Sequence, residues 1–202
     1  MKNNERYICL DTETTGISIK NKHKIIEIGC VEVINGRETG KTYHTYLNPD
    51  REIDKEAEGV HGISLDSLQD KPRFVEIAGD FLKFIANATL VIHNATFDIT
   101  FLNYELGICN IEKLENAVVD TLLLARKKYV GERASLDAIC KKFEIDLSSR
   151  NMHGALLDAG LLAKVFIRMD QEFDINIKKI DYIANDEFMR SDYANFKFIS
   201  LG

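Results

Sequence analysis

Asp11 and Glu13 stand two residues apart in the segment Leu10-Asp11-Thr12-Glu13-Thr14-Thr15-Gly16. Side chains of a strand alternate between its faces, so residues two apart project the same way and these carboxylates would stand side by side. A third acid, Asp98, follows an apolar run in His93-Asn94-Ala95-Thr96-Phe97-Asp98, and a fourth, Asp158, lies in His153-Gly154-Ala155-Leu156-Leu157-Asp158. Around Asp158, the residues Ala155, Leu156, Leu157, Ala159, Leu161 and Leu162 leave little water, and an acid in that setting needs a partner. His153 precedes Asp158 by five positions. At about 100° per residue the two do not share a helix face, which puts the histidine on the segment leading into the helix.

Each of these residues has an ordinary reading when taken singly. An isolated Asp-x-Glu is often a solvated strand end, an aspartate in a first helical turn is favoured by the helix dipole, and a lone histidine is usually structural. Together they define a chemistry. Four carboxylates carry a charge of about −4, which two divalent cations would balance, and ligands made only of oxygen suit Mg²⁺ or Mn²⁺ better than zinc. Two such ions roughly 3.5 to 4 Å apart can hold an attacking hydroxide and a leaving 3′ oxygen in line across one phosphorus. An imidazole of pKa ~6.5 suits the accompanying proton transfer near neutral pH.

The surrounding sequence supplies elements that could bring these residues together. Tyr7 to Asp11, Lys24 to Ile34 and Arg37 to Leu47 carry the apolar or β-forming patterns of strands, and Asn35-Gly36 between the last two is a hairpin turn signal. Phe74, Ile77, Ala78, Phe81, Leu82 and Ile85 recur at helical spacing, with Pro72 suited to a first turn. Thr89 to Ile92 reads as a buried strand, followed by a helix with Phe97, Phe101 and Leu102 on one face and a further strand at Ala117 to Val119. Ser135 reads as the cap of a short helix, and a longer helix spans about Gly154 to Met169 with Leu157, Leu161 and Val165 inward. The order βββαβαβαα predicts an α/β fold, a central five-stranded mixed sheet flanked by helices, with Asp98 beyond a strand end where such sheets build sites.

Composition bounds the rest. With 202 residues, 45% of them hydrophobic, and two prolines, the chain can bury one core. No stretch approaches the ~20 apolar residues of a membrane span, and the start Met1-Lys2-Asn3-Asn4-Glu5-Arg6 lacks the apolar core of a secretion signal, so a cytoplasmic, membrane-free location is expected. Cys9, Cys30, Cys109 and Cys140 have no paired spacing and read as free thiols. A formal charge of −6 opposes strong nucleic-acid binding. Committing four acids to metal removes much of that charge and leaves the clusters Lys20/Lys22/Lys24 and Arg126/Lys127/Lys128/Arg133, so a weak and brief grip on a strand end is expected, aided by a partner. The segment 171–202 holds Phe173, Tyr182, Phe188, Tyr193, Phe196 and Phe198, too apolar for a free tail. It either packs on its own domain or docks on a partner.

The segments Asp11 to Gly16, His93 to Leu102 and His153 to Asp158, in that order, resemble the three exonuclease motifs of the DEDDh (DnaQ-like) 3′–5′ exonuclease family. Pro49-Asp50-Arg51, Gly59-Val60-His61-Gly62-Ile63 and Ser135-Leu136-Asp137-Ala138 add a resemblance to the proofreading branch of that family, over residues 7 to about 169. The joint order and spacing make this more specific than any single motif. The resemblance implies a ribonuclease-H-like fold in a domain over 1–170, with Asp11, Glu13, Asp98 and Asp158 as ligands of two divalent cations and His153 as general base. It further implies that Asp11, Glu13, Thr14, Glu56, His61 and Asp158 meet the terminal nucleotide, with Glu56 and His61 on its sugar or base.

The implied activity is hydrolysis of terminal phosphodiester bonds at single-stranded or mismatched DNA 3′ ends during replication. The implied partners are the polymerase catalytic (alpha) subunit and a theta-like subunit. Proofreading members commonly carry a glutamine-led sliding-clamp motif after the domain; Gln171-Glu172-Phe173-Asp174 departs from it, so clamp contact is not expected. Two alternatives stand beside this reading: an exoribonuclease or oligonuclease of the same family, and a catalytically silent scaffold subunit. Thr14 after Glu13 speaks against the oligoribonuclease pattern, which usually has methionine there, and retention of all five polar residues speaks against the scaffold.

Overall fold

β1 (Arg6–Thr14), β2 (Ile25–Ile34) and β3 (Arg37–Tyr46) form an antiparallel meander in a computed structural model that describes residues 5–148 and 152–173. On the other side of β1, β4 (Thr89–Ile92) and β5 (Val118–Asp120) add in parallel, giving the order β3-β2-β1-β4-β5. This is the five-stranded mixed sheet that the sequence predicts. Asn35 and Gly36 turn the hairpin with φ of 52° and 72°, the positive pair that a two-residue turn requires.

Helices cover both faces of the sheet. Ile8 and Leu10 of β1 join Ile28, Cys30, Leu90 and Ile92 in a core beneath α2 (Phe74–Ile85) and α3 (Ala95–Ile108), to which Phe81, Ile85, Phe101 and Leu106 belong. Tyr7 and Cys9 join Val31, Val33, Val91 and Val119 in a second core beneath α5 (Leu136–Lys142) and α6 (Ala155–Phe173), with Ile139, Leu162 and Phe166. Because a strand alternates, Asp11 and Glu13 continue the α6 side of β1 while Thr12 continues the α3 side. β2 is buried over nine of its ten residues, as a strand sandwiched between two helical layers must be.

Two further helices depart from the predicted order. α1 (Lys55–His61) buries only Ala57 and His61 of a charged heptapeptide containing Gly59, so it has no apolar repeat to read. α4 (Thr121–Lys128) buries only Thr121 and Ala125, and its Leu-Leu-Leu run is too short to distinguish helix from strand. The observed order is therefore βββααβαβααα. Pro72 lies before the first turn of α2, whose N-cap is Arg73, and β5 runs one residue later than predicted. α6 extends beyond Met169 to Phe173, across the predicted domain boundary at 170, and Leu157 is half-buried while Leu156 packs against the core. The predicted cap of α5 is present: Ser135 Oγ accepts the Ala138 N–H at 3.3 Å.

The aromatic tail segment from 174 to 202 lies outside the described residues. All four cysteines are free thiols; Cys9, Cys30 and Cys140 are buried, and burial raises the pKa of each, that of Cys140 to about 11. No helix among the described residues is long and apolar enough to cross a membrane.

Candidate active site

β1 ends beside β4, and the chain leaves β4 directly into α3, so the ends of two adjacent strands and a helix start meet at one edge of the sheet. Asp98 lies in the first turn of α3 and is 3% exposed. Thr12, on the α3 side of β1, donates from its hydroxyl to Asp98 Oδ1 at 2.8 Å. Burial pushes the Asp98 carboxyl up to about 7, with the neighbouring Asp120 adding to the rise and the Thr12 hydrogen bond opposing it. A cation placed beside such a carboxyl would favour its ionised form and bring the pKa back down.

On the α6 side, Glu13, His153 and Asp158 bring ligand atoms within 4.8 Å of one another. His153 precedes α6 as predicted; its Nδ1 lies 3.0 Å from Asp158 Oδ2, and its side chain is 38% exposed against 4% for Asp158. The His153 N–H also donates to the Val60 carbonyl of α1, at 3.3 Å. Asp11, Glu13, Asp98, His153 and Asp158 all line one cavity of about 410 Å³. The five residues that sequence spacing singled out therefore share one space. The donor set, four carboxylates beside one imidazole, fits a divalent cation, and Asp98 is held above its ordinary range chiefly by its burial, with the charge of Asp120 adding to the rise.

The remaining predicted contacts are distributed unevenly. Thr14 and His61 line the cavity. Thr14 is buried with its hydroxyl donated to the Gly16 carbonyl at 2.8 Å, which leaves its backbone as the part that could meet a ligand. His61 accepts the Ile63 N–H at Nδ1, 3.0 Å away, so its proton resides on Nε2, which is buried without a hydrogen-bond partner among the described residues. Burial lowers the His61 pKa and keeps the ring neutral. Glu56 is exposed in the first turn of α1 and is not among the cavity-lining residues; Ala57 and Val60 of that helix are.

Three residues that sequence reasoning passed over hold the site together. Gly29 lies opposite Asp11 in the β1–β2 register, and a Cβ there would come within 2.2 Å of the Ala155 backbone carbon. Only glycine lets the start of α6 lie against the sheet at that point. Glu27, opposite Glu13 and 2% exposed, accepts the Ala155 N–H at 3.1 Å through Oε2 and lies 2.7 Å from His44 Nε2 through Oε1. It satisfies an otherwise orphaned donor at the first residue of α6. Asp120 accepts from Asn94 and Ala95 at the start of α3 and from Leu122 and Leu123 at the start of α4, binding two helix ends with one carboxylate. The partners of Glu27 are remote in sequence, so its one cue was a glutamate inside an apolar strand; Asp120 also reaches the remote Asn94 and Ala95, but its capping of Leu122 and Leu123 is local and readable as an aspartate before a helix.

Comparison with known proteins identifies the family. The family described as Exonuclease (RNase_T) matches residues 8–166. A DNA polymerase III subunit epsilon from Rickettsia typhi is 51% identical over 180 residues, covering 87% of this chain and 79% of the relative, and one from Escherichia coli K12 is 52% identical over 172 residues, covering 81% and 71%. Among solved structures, Exonuclease X in complex with 5′ overhanging duplex DNA superposes with a TM-score of 0.65 at 26% identity, covering 86% of this chain and 95% of that one. A 3′–5′ exonuclease enzyme with a ribonuclease-H-like sheet accounts for all of these likenesses. This chain belongs to the DEDDh exonuclease family, in its branch of DNA polymerase III epsilon subunits.

Proposed function

We propose that this enzyme proofreads during DNA replication, removing nucleotides from single-stranded or mismatched 3′ ends with the help of two divalent cations, Mg²⁺ or Mn²⁺. The single observation that carries the reading is the meeting of Asp11, Glu13, Asp98, Asp158 and His153 in one cavity at the sheet edge. Asp11, Glu13, Asp98 and Asp158 would hold the ions, which when bound balance the carboxylate charge and polarise the scissile phosphate. With Nδ1 of His153 donating to Asp158, Nε2 is the nitrogen that accepts a proton from the attacking water. The half-exposed ring can then pass that proton to solvent. His61 donates from Nε2 to the sugar or base of the terminal nucleotide, and the Thr14 backbone approaches it from β1. Glu56 joins them from the exposed turn of α1.

The relatives' naming as polymerase III subunits supports a polymerase setting, with the catalytic (alpha) subunit as a partner, a theta-like subunit as a second, and the cytoplasm as location. In this reading 1–170 is the exonuclease domain, and 171–202 is the segment available for polymerase docking. Matched single-stranded DNA and RNA of one sequence, together with a mismatched primer end, test the substrate. Mg²⁺-dependent release of mononucleotides from DNA, abolished in Asp11→Ala, is expected; faster hydrolysis of RNA would overturn the proofreading reading.

A further inference from the structure

The chain has a formal charge of −6, yet residues 121–142 contain six cations, Arg126, Lys127, Lys128, Arg133, Lys141 and Lys142, and only two acids, Glu132 and Asp137. The structure gathers that stretch into one surface. α4 and α5 with the turn between them pack on a single core through Ala125, Tyr129, Leu136 and Ile139. Lys142, near the end of α5, sits 4.2 Å from the centre of the Tyr129 ring and 2.9 Å from Glu132, which joins the two cationic helix ends into a continuous strip. Arg126, Lys127, Arg133 and Lys141 are exposed and make no ion pair among the described residues. In the other basic cluster Lys24 is tied to the buried Glu105 at 3.0 Å, which leaves two exposed cations there, Lys20 and Lys22, against four in the strip.

Two features tie the strip to the active site. Its core is the one on the α6 side of the sheet, the side on which Asp11, Glu13 and Asp158 stand. α4 also starts beside the cavity: its cap Asp120 accepts the N–H of Asn94, a cavity-lining residue four before Asp98. An eight-residue helix rises about 12 Å, so the cations at its far end lie no more than a few nucleotide lengths from its start beside the cavity. Exposed guanidinium and ammonium groups at such a distance, on a chain that otherwise repels polyanions, suit phosphates of the strand whose end is being cleaved.

We propose that Arg126, Lys127, Arg133 and Lys141 form a second binding region, which holds the sugar-phosphate backbone of the substrate strand several nucleotides from its cleaved end. The inference rests on the exonuclease reading but concerns residues outside the catalytic cavity. It predicts that long substrates gain affinity from the strip while short ones do not.

The test compares wild-type protein with Arg126→Gln/Lys127→Gln, using a single-stranded DNA of sixteen nucleotides and a dinucleotide too short to reach α4, at several salt concentrations. The variant should raise KM several-fold on the long strand, leave the dinucleotide rate unchanged, and flatten the slope of log(kcat/KM) against log[salt] by about 1.4, the value for two single-strand phosphate contacts. Binding of the labelled long strand in chelator, followed by fluorescence anisotropy, should weaken in parallel. An unchanged KM and salt slope on the long strand would overturn the proposal, and so would weaker binding of an acidic polymerase surface with DNA affinity intact. Wild-type protein inactive on both substrates would instead refute the exonuclease reading itself.

Discussion

Asp98 is a buried carboxyl that accepts one hydroxyl hydrogen bond and faces a second acid, and its pKa of about 7 makes proton and metal competitors for the same oxygens. The affinity for Mn²⁺ should therefore fall as pH drops below about 7, approaching tenfold per pH unit, in calorimetric titrations at pH 6 and 8. A pH-independent affinity would contradict the assignment. The sign for stability is fixed by the same shift. The folded carboxyl, at about 7, holds its proton more tightly than the unfolded one at 3.8, so metal-free protein loses stability as pH rises between these values. Asp98→Asn should flatten that dependence, read as Tm against pH in chelator. His153→Ala belongs to a different class of effect: turnover should fall by about 10²- to 10⁴-fold with Mn²⁺ binding mostly retained, whereas Asp98→Ala should weaken binding itself. Equal losses of Mn²⁺ affinity in the two variants would count against separate roles. At this scale the sequence was legible for Asp11, Glu13, Asp98, His153 and Asp158 as a set that converges, because strand alternation and helix spacing constrain where each can point. It was silent on Glu27, since a carboxylate that caps a distant backbone needs no particular neighbour in sequence; Glu27 and Ala155 are 128 positions apart, whereas only the part of Asp120 that reaches Asn94 and Ala95 was hidden in this way.

α6 matters through where it begins. Its first residue is held by the Glu27 carboxylate, its backbone lies on Gly29, and the preceding His153 is bonded to α1, so the histidine and Asp158 are placed by two separate elements, β2 and α1. Gly29→Ala should push the start of α6 off the sheet, costing about 2 kcal/mol and several degrees of Tm, with a larger loss of activity than the stability change explains. A variant with wild-type Tm and kcat would show that the close approach is not needed. The elements the sequence disclosed were those with a strong period: the apolar β2, the amphipathic α2 and the Asn35-Gly36 hairpin. α1 and α4 stayed hidden because each buries only two residues and so shows no apolar period, and α1 also leans on the remote His153 to bond its Val60 carbonyl. Their placement next to the cavity is a tertiary fact, which explains why His61 was readable from its flanking glycines while the helix carrying it was not.

At the scale of the whole molecule, one sheet separates two apolar cores and delivers all the acids to a single edge, so the stable cores support a site whose own charges repel. Divalent cations should then stabilise the fold as well as activate it. An ion present at a hundredfold excess over its Kd adds about 2.7 kcal/mol, a Tm rise of roughly 5 to 10 °C that chelator reverses, and it should be lost in Asp98→Ala. The central claim is that the four carboxylates jointly bind cations, and the stoichiometry of Mn²⁺ in the presence of a nucleoside monophosphate tests it most directly. Two ions per chain in the wild-type protein, with fewer in Asp11→Ala and Asp158→Ala, is the predicted result; a wild-type chain that binds none, or variants that bind as many, would contradict it.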